Sequence, residues 1–179
     1  MMRIRILVAS LLLLSGCDSK KRPSPRETEP IRQPAVSETC PADPVFGGVT
    51  MDTAQVTFPD ATGTPKLTVE LAATDDDRMR GLMYRTHMAE NTGMLFLPDG
   101  PPRVQTFWMK NTCIPLDMLF IDEQGMIVGI LENVPPMNLA KRKVSKPSSY
   151  VLEVNAGWTS KTGVHAGQRV TLPNGSHHR

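Results

Sequence analysis

Residues 106–122, TFWMKNTCIPLDMLFID, constrain the fold of this chain more tightly than any other stretch. Phe107, Trp108 and Met109 set three large apolar side chains in a row, and Met118, Leu119, Phe120 and Ile121 set four. Successive side chains of a strand point to opposite faces, so an unbroken apolar run needs cover on both. Both runs are therefore expected as strands buried on each face, with Trp108 and Met109 fixed in the core. Between them, Lys110, Asn111, Thr112, Cys113 and Asp117 place an ammonium, an amide, a hydroxyl, a thiol and a carboxylate in one connection, which Pro115 stiffens. Polar groups that emerge from a rigid element are how well-defined sites are usually held.

Short elements surround that stretch. Residues 54–58 and 66–71 alternate apolar with polar across a turn and read as a β-hairpin. Thr74 and Asp77 form a variant capping box, and Asp75 to Asp77 crowd a first turn where the helix dipole favours anions, so a short helix is expected to end near Met83. Residues 93–97 and 103–109 read as strands, and 117–122 pairs with 126–131 through a tight turn at Gly125. Residues 150–154 and 168–172 read as further strands, and 156–162 as a helix closed by Gly163. Residues 141–148 form a basic loop expected to face water, while Arg78, Arg80 and Arg85 read either as a solvated face or as ligand contacts. The sum is a mainly β (α+β) fold: a compact antiparallel β-sandwich or partly closed barrel with one or two short helices. A parallel α/β sheet is disfavoured, because few helical segments are available as crossovers.

The N-terminal segment reads as an address. Arg3 and Arg5 precede an apolar run over residues 6–14, which is shorter than the roughly 20 residues a spanning helix needs. Leu14, Ser15, Gly16 and Cys17 resemble the lipobox of bacterial lipoproteins. The resemblance implies a signal peptide over residues 1–16 and fatty acyl chains such as palmitate on Cys17. The protein is then exported and held on a bacterial membrane, facing the periplasm or the cell exterior. Asp18 resembles an inner-membrane retention mark, which leaves inner and outer membrane both open. Residues 17–49 are rich in proline and charge and read as a disordered tether, 50–173 as a single domain, and 174–179 as a polar tail.

Without Arg3 and Arg5 the chain holds 18 basic and 18 acidic residues. A nucleic-acid partner is disfavoured, since phosphate binding draws on a net basic surface. With Cys17 committed to lipid, Cys40 and Cys113 remain, in a compartment where disulfides persist. Either they bridge and pin the tether onto the central stretch, or Cys113 is a small buried apolar residue. His87 and His165 have no companion at ligand spacing, and no phosphate loop or nucleotide fingerprint occurs, so neither metal nor cofactor is expected.

Several ordered blocks resemble one family, the domain of unknown function family 192. They include Arg80-Gly81-Leu82-Met83, Gly93-Met94-Leu95-Phe96, Phe107-Trp108-Met109-Lys110-Asn111-Thr112, Ile114-Pro115-Leu116-Asp117, Glu132-Asn133-Val134-Pro135-Pro136 and Tyr150-Val151-Leu152-Glu153. The resemblance runs from about Lys66 to Leu172 and implies a mainly β single domain without an established reaction. Many relatives carry cysteines after the Pro-Pro element, and residues 137–149 here have none.

Two functional readings stand. In the first, Arg80, Lys110, Asn111, Thr112, Asp117 and Glu132 line a polar site of a membrane-tethered binding or accessory module for a small ligand, a glycan or an envelope protein. In the second, Asp117 and Glu132 are the acid and base carboxylates of an envelope hydrolase, chemistry that requires environments which separate their pKa values. Against both stands a structural role, in which the two carboxylates accept backbone hydrogen bonds and hold loops.

Overall fold

The structure, a computed structural model, describes residues 40–45 and 48–173. Cys17, the signal segment, most of the expected tether and the 174–179 tail lie outside the described residues. Six strands form one sheet in the order β1-β2-β3-β6-β4-β5: β1 (Thr53–Thr57), β2 (Lys66–Ala72), β3 (Thr92–Phe96), β4 (Leu116–Ile121), β5 (Ile127–Val134) and β6 (Tyr150–Asn155). Two short helices, α1 (Asp75–Arg80) and α2 (Trp158–Thr162), complete it. The mainly β, α+β reading is borne out, and the sheet stays open instead of closing into a barrel. Among the described strands, β2 and β3 alone run parallel. Their crossover carries α1, so a six-residue helix with an irregular extension suffices for this one parallel pair in an otherwise antiparallel sheet.

Helix α1 starts as its cap dictates. The Thr74 hydroxyl accepts from Asp77 N at 3.1 Å, and Thr74 N donates to the Asp77 carboxylate at 3.0 Å. These bonds to Thr74 hold the Asp77 carboxyl below its ordinary range. The helix stops at Arg80, short of Met83, because Gly81 takes a φ of 50° that ends the helical backbone.

Residues 103–109 and 168–172 are not strands. Their ladder pairing is limited to isolated bridges, Arg103 with Ser148, Phe107 with Arg142, Met126 with Arg169 and Thr57 with Thr171. The basic loop thus grips the first of these segments through Arg142, instead of simply facing water. A segment laid over a sheet has one side in the core and one in solvent, so the apolar run 107–109 splits. Met109 is fully buried, Phe107 meets Phe96 edge-on at 4.9 Å, and Trp108 is 46 % exposed. The expectation that Trp108 is fixed in the core fails for that reason.

The sheet is covered on both faces. Leu119 and Ile121 of β4 pack with Val56, Leu67, Leu152 and Trp158, whereas Met118 and Phe120 pack with Met94, Phe96, Met109 and Val151. Strand alternation then places Asp117 on the first face and Glu153 on the second. Of the two readings of Cys113, the structure has the bridge: Cys40 and Cys113 form a disulfide with Cα atoms 5.4 Å apart. The last residues of the expected tether are thereby part of the folded unit, and Asp43 forms an ion pair with Arg80.

Candidate functional site

On the second face, the end of α1, the end of β3 and the segment from Asp99 to Trp108 leave a cleft of about 680 Å³. That is within the roughly 300–1,000 Å³ of ligand pockets. Of the sequence candidates, Arg80 and Thr112 line it, together with Arg103, Phe107, Trp108 and Glu153.

Glu153 is the residue that sequence reasoning missed. It sits on β6 between Met94 of β3 and Met118 of β4, and is only 4 % exposed. No hydrogen-bond or ion-pair partner for its carboxyl occurs among the described residues, and burial pushes its pKa up to about 8. A lone carboxyl in such surroundings is mostly protonated at neutral pH and presents both an O–H donor and an acceptor oxygen to the cleft. Next to Met94, β3 carries Gly93 opposite Val154. A Cβ on Gly93 would lie 2.5 Å from the Glu153 carbonyl oxygen.

The mouth of the cleft is charged but matched. Arg78 pairs with Asp75 at 2.7 Å and approaches Asp99 at 3.9 Å, Arg103 pairs with Asp99 at 2.6 Å, and Arg80 pairs with Asp43. Burial works against ionisation of Asp99, but the hydrogen bond and charge of Arg103 and the charge of Arg78 outweigh it, and its pKa is lowered. Arg80 also stands 5.5 Å from the centre of the Tyr84 ring. Arg85 pairs with Glu70 of β2, away from this rim.

The six sequence candidates do not converge. Asn111 is committed to a turn: at a φ of 53°, it accepts from Tyr84 N at 2.7 Å and donates from Nδ2 to the Tyr84 hydroxyl at 2.9 Å. Lys110 places its ammonium 5.4 Å from the centre of the Trp108 ring. Asp117 is on the opposite face, with 0 % exposure. Its carboxylate accepts from Asn133 N at 2.9 Å, Gly157 N at 3.1 Å, Thr159 N at 3.0 Å and the Thr159 hydroxyl at 2.6 Å. It is a remote cap for α2, whose own N-cap Gly157 makes no side-chain bond. Glu132 is exposed on β5 and meets this group only through the Thr159 hydroxyl at 3.5 Å. With four donors already on Asp117, the pair lacks the free base that the hydrolase reading requires.

The signal for Glu153 was in the sequence: an acid flanked by Val151, Leu152 and Val154, inside one of the blocks that carry the family resemblance. Reading residues 150–154 as a strand does not say whether the face that carries Glu153 is covered. Only the packing of α1 and the 99–114 region over that face turns it into a buried acid.

Comparison with known proteins adds sequence relatives without a reaction. A family model described as DUF192, uncharacterized ACR, matches residues 57–172. A crystal structure from Sinorhizobium meliloti 1021, provisionally assigned as a transcription regulator, is 45 % identical with a TM-score of 0.66, over 70 % of this chain and 97 % of that one. A protein of unknown function from Novosphingobium aromaticivorans DSM 12444 is 33 % identical with a TM-score of 0.65, over 74 % of this chain and 91 % of that one. No curated protein matches.

Proposed function

From a chain that belongs to the DUF192 family of uncharacterised proteins, we propose a binding module whose site is the cleft beside α1, for a small ligand with an apolar body and one polar group. The observation that carries this reading is Glu153, a carboxyl buried at the cleft without a partner among the described residues. An incoming ligand group that hydrogen-bonds this acid supplies the partner that the described residues do not. Trp108 supports the reading, since a half-exposed indole beside a polar group offers both area and orientation. Thr112 lines the cleft, and the Lys110 ammonium stands against Trp108 outside the lining. The provisional transcription-regulator assignment of the Sinorhizobium protein finds no support in charge, because without Arg3 and Arg5 this chain holds 18 basic residues against 18 acidic ones and no excess of positive charge for phosphate.

A fragment screen followed by NMR on the mature chain tests the proposal. Hits should shift the Trp108 indole resonance and weaken in both Trp108→Ala and Glu153→Gln. Hits indifferent to both substitutions would move the binding surface elsewhere and overturn it.

The module works near a membrane, held by acyl chains on Cys17. The lipobox-like Leu14-Ser15-Gly16-Cys17 supports this. Each buried methylene adds about 0.8 kcal/mol of membrane affinity. Intact mass of membrane-extracted protein should show a chain starting at Cys17 with added acyl mass; an unmodified Cys17 would end the idea.

A further inference from the structure

We propose that the cleft takes a small organic cation, a primary ammonium on an aromatic or alkyl body, with the charge against Glu153 and the body along Phe107 and Trp108. The assignment rests on reading the cleft as a binding site and names the ligand class. Three observations lead to it.

First, Glu153 is a buried acid at the cleft for which the described chain supplies no cation. The nearby guanidiniums are engaged elsewhere: Arg78 with Asp75 and Asp99, Arg103 with Asp99, and Arg80 with Asp43. Three guanidiniums are matched there by three carboxylates, and a ligand cation competes with the Lys110 ammonium for the Trp108 ring. Second, the walls suit a cation with an apolar body. Phe96 and Phe107 pack at 4.9 Å beside the carboxyl, and Trp108 is half exposed at the rim. Trp108 already attracts an ammonium, that of Lys110 at 5.4 Å from its ring centre. Third, an ammonium gains more here than a neutral hydroxyl does. A hydroxyl adds one hydrogen bond to the acid, whereas a cation within about 4–6 Å restores the charged form that burial had suppressed and makes a charge-assisted bond. As the ammonium enters, the carboxyl proton leaves to solvent and the ligand keeps its own.

The charged groups that line the cleft with Glu153 are Asp75, Arg78 and Arg80 from α1, and Asp99 and Arg103 from the segment that follows β3; none of them offsets the effect of burial on its carboxyl. The strands on either side present Met94 and Met118, which do not titrate. Asp99 is held below its ordinary range, so Glu153 is left to govern binding near neutrality.

The test uses the mature, disulfide-bonded chain and three matched probes: benzylammonium, benzyl alcohol and phenylacetate. Affinity is measured by calorimetry and the contact region by NMR. Benzylammonium should bind at least tenfold more tightly than the other two and shift the Trp108 indole. Its affinity should rise about tenfold between about pH 6 and about pH 7, as the ionised fraction of an acid with a pKa near 8 does. Glu153→Gln should remove both the preference and the pH dependence. Equal binding of the three probes, or a pH-independent affinity for benzylammonium in the unmutated chain, overturns the cation assignment and leaves the cleft as a binding site. No benzylammonium binding at all also overturns it, and a blank fragment screen brings down the binding-site reading with it.

Discussion

Replacing Glu153 with Gln should stabilise the protein, and by an amount that depends on pH in a calculable way. The folded state holds this carboxyl's proton up to about 8, against an ordinary value of 4.5 that we take for the unfolded chain. Between those values the folded state keeps a proton that the unfolded state has released, so stability falls as pH rises, by about 1.4 kcal/mol per pH unit. The contribution is fully present below the unfolded value and is lost by the time pH passes the folded one. Integrated from about pH 5 to about pH 9, the loss is about 4 kcal/mol, a large part of the roughly 5–15 kcal/mol that holds a domain together. Gln keeps the shape and cannot titrate. Urea unfolding of the two proteins should therefore give free energies within about 1 kcal/mol of each other at about pH 5, with Gln ahead by about 4 kcal/mol at about pH 9. In melting temperature the gap is roughly 15 °C for a domain of this size. Every other titrating group is common to both chains and cancels in the difference. A difference that stays constant from acid to alkaline pH would mean that Glu153 ionises normally in the folded protein, and the argument from its burial would fail.

Three further substitutions probe the frame around the cleft. Asp117→Asn turns an acceptor of four hydrogen bonds into a group with one oxygen and should cost about 2–4 kcal/mol in chemical denaturation, while fragment binding to the folded protein persists. An unchanged denaturation midpoint would contradict the capping role. Replacing Cys40 and Cys113 by Ser opens a loop spanning 73 residues and should lower stability by about 4 kcal/mol on the chain-entropy account, checked by melting with and without reductant. Equal melting of the two would show that the bridge constrains nothing. Gly93→Ala drives a Cβ to 2.5 Å from the Glu153 carbonyl oxygen and should cost about 1–3 kcal/mol by pushing β3 from β6; unaltered amide exchange in both strands would refute the clash.

Much of the frame was legible because its signals are local. The Thr74 and Asp77 cap, the Gly125 turn with its φ of 79° and the β1–β2 hairpin each follow from residues close in sequence. What failed depended on which face of the sheet another segment would cover. The run at Phe107, Trp108 and Met109 is as apolar as the one at Met118 to Ile121, yet the second pairs on both edges and the first lies off the sheet, held by two bridges. The same blindness separated the candidates. Asp117 and Thr112 are five positions apart, and strand alternation with the turn at Asn111 sends them to opposite faces. Glu153 was not singled out because nothing local says that the 99–114 region will roof it over.

The disulfide also sets how this protein responds to being pulled. Chain tension arriving from before Cys40 would otherwise load β1, an edge strand whose backbone bonds to β2 can peel one at a time. The covalent link carries the load across to Cys113, three residues before β4, and β4 is zipped to β5 on one side and β6 on the other. A domain moored in this way resists extension through the interior of its sheet, and its weakest seam is out of the mechanical path.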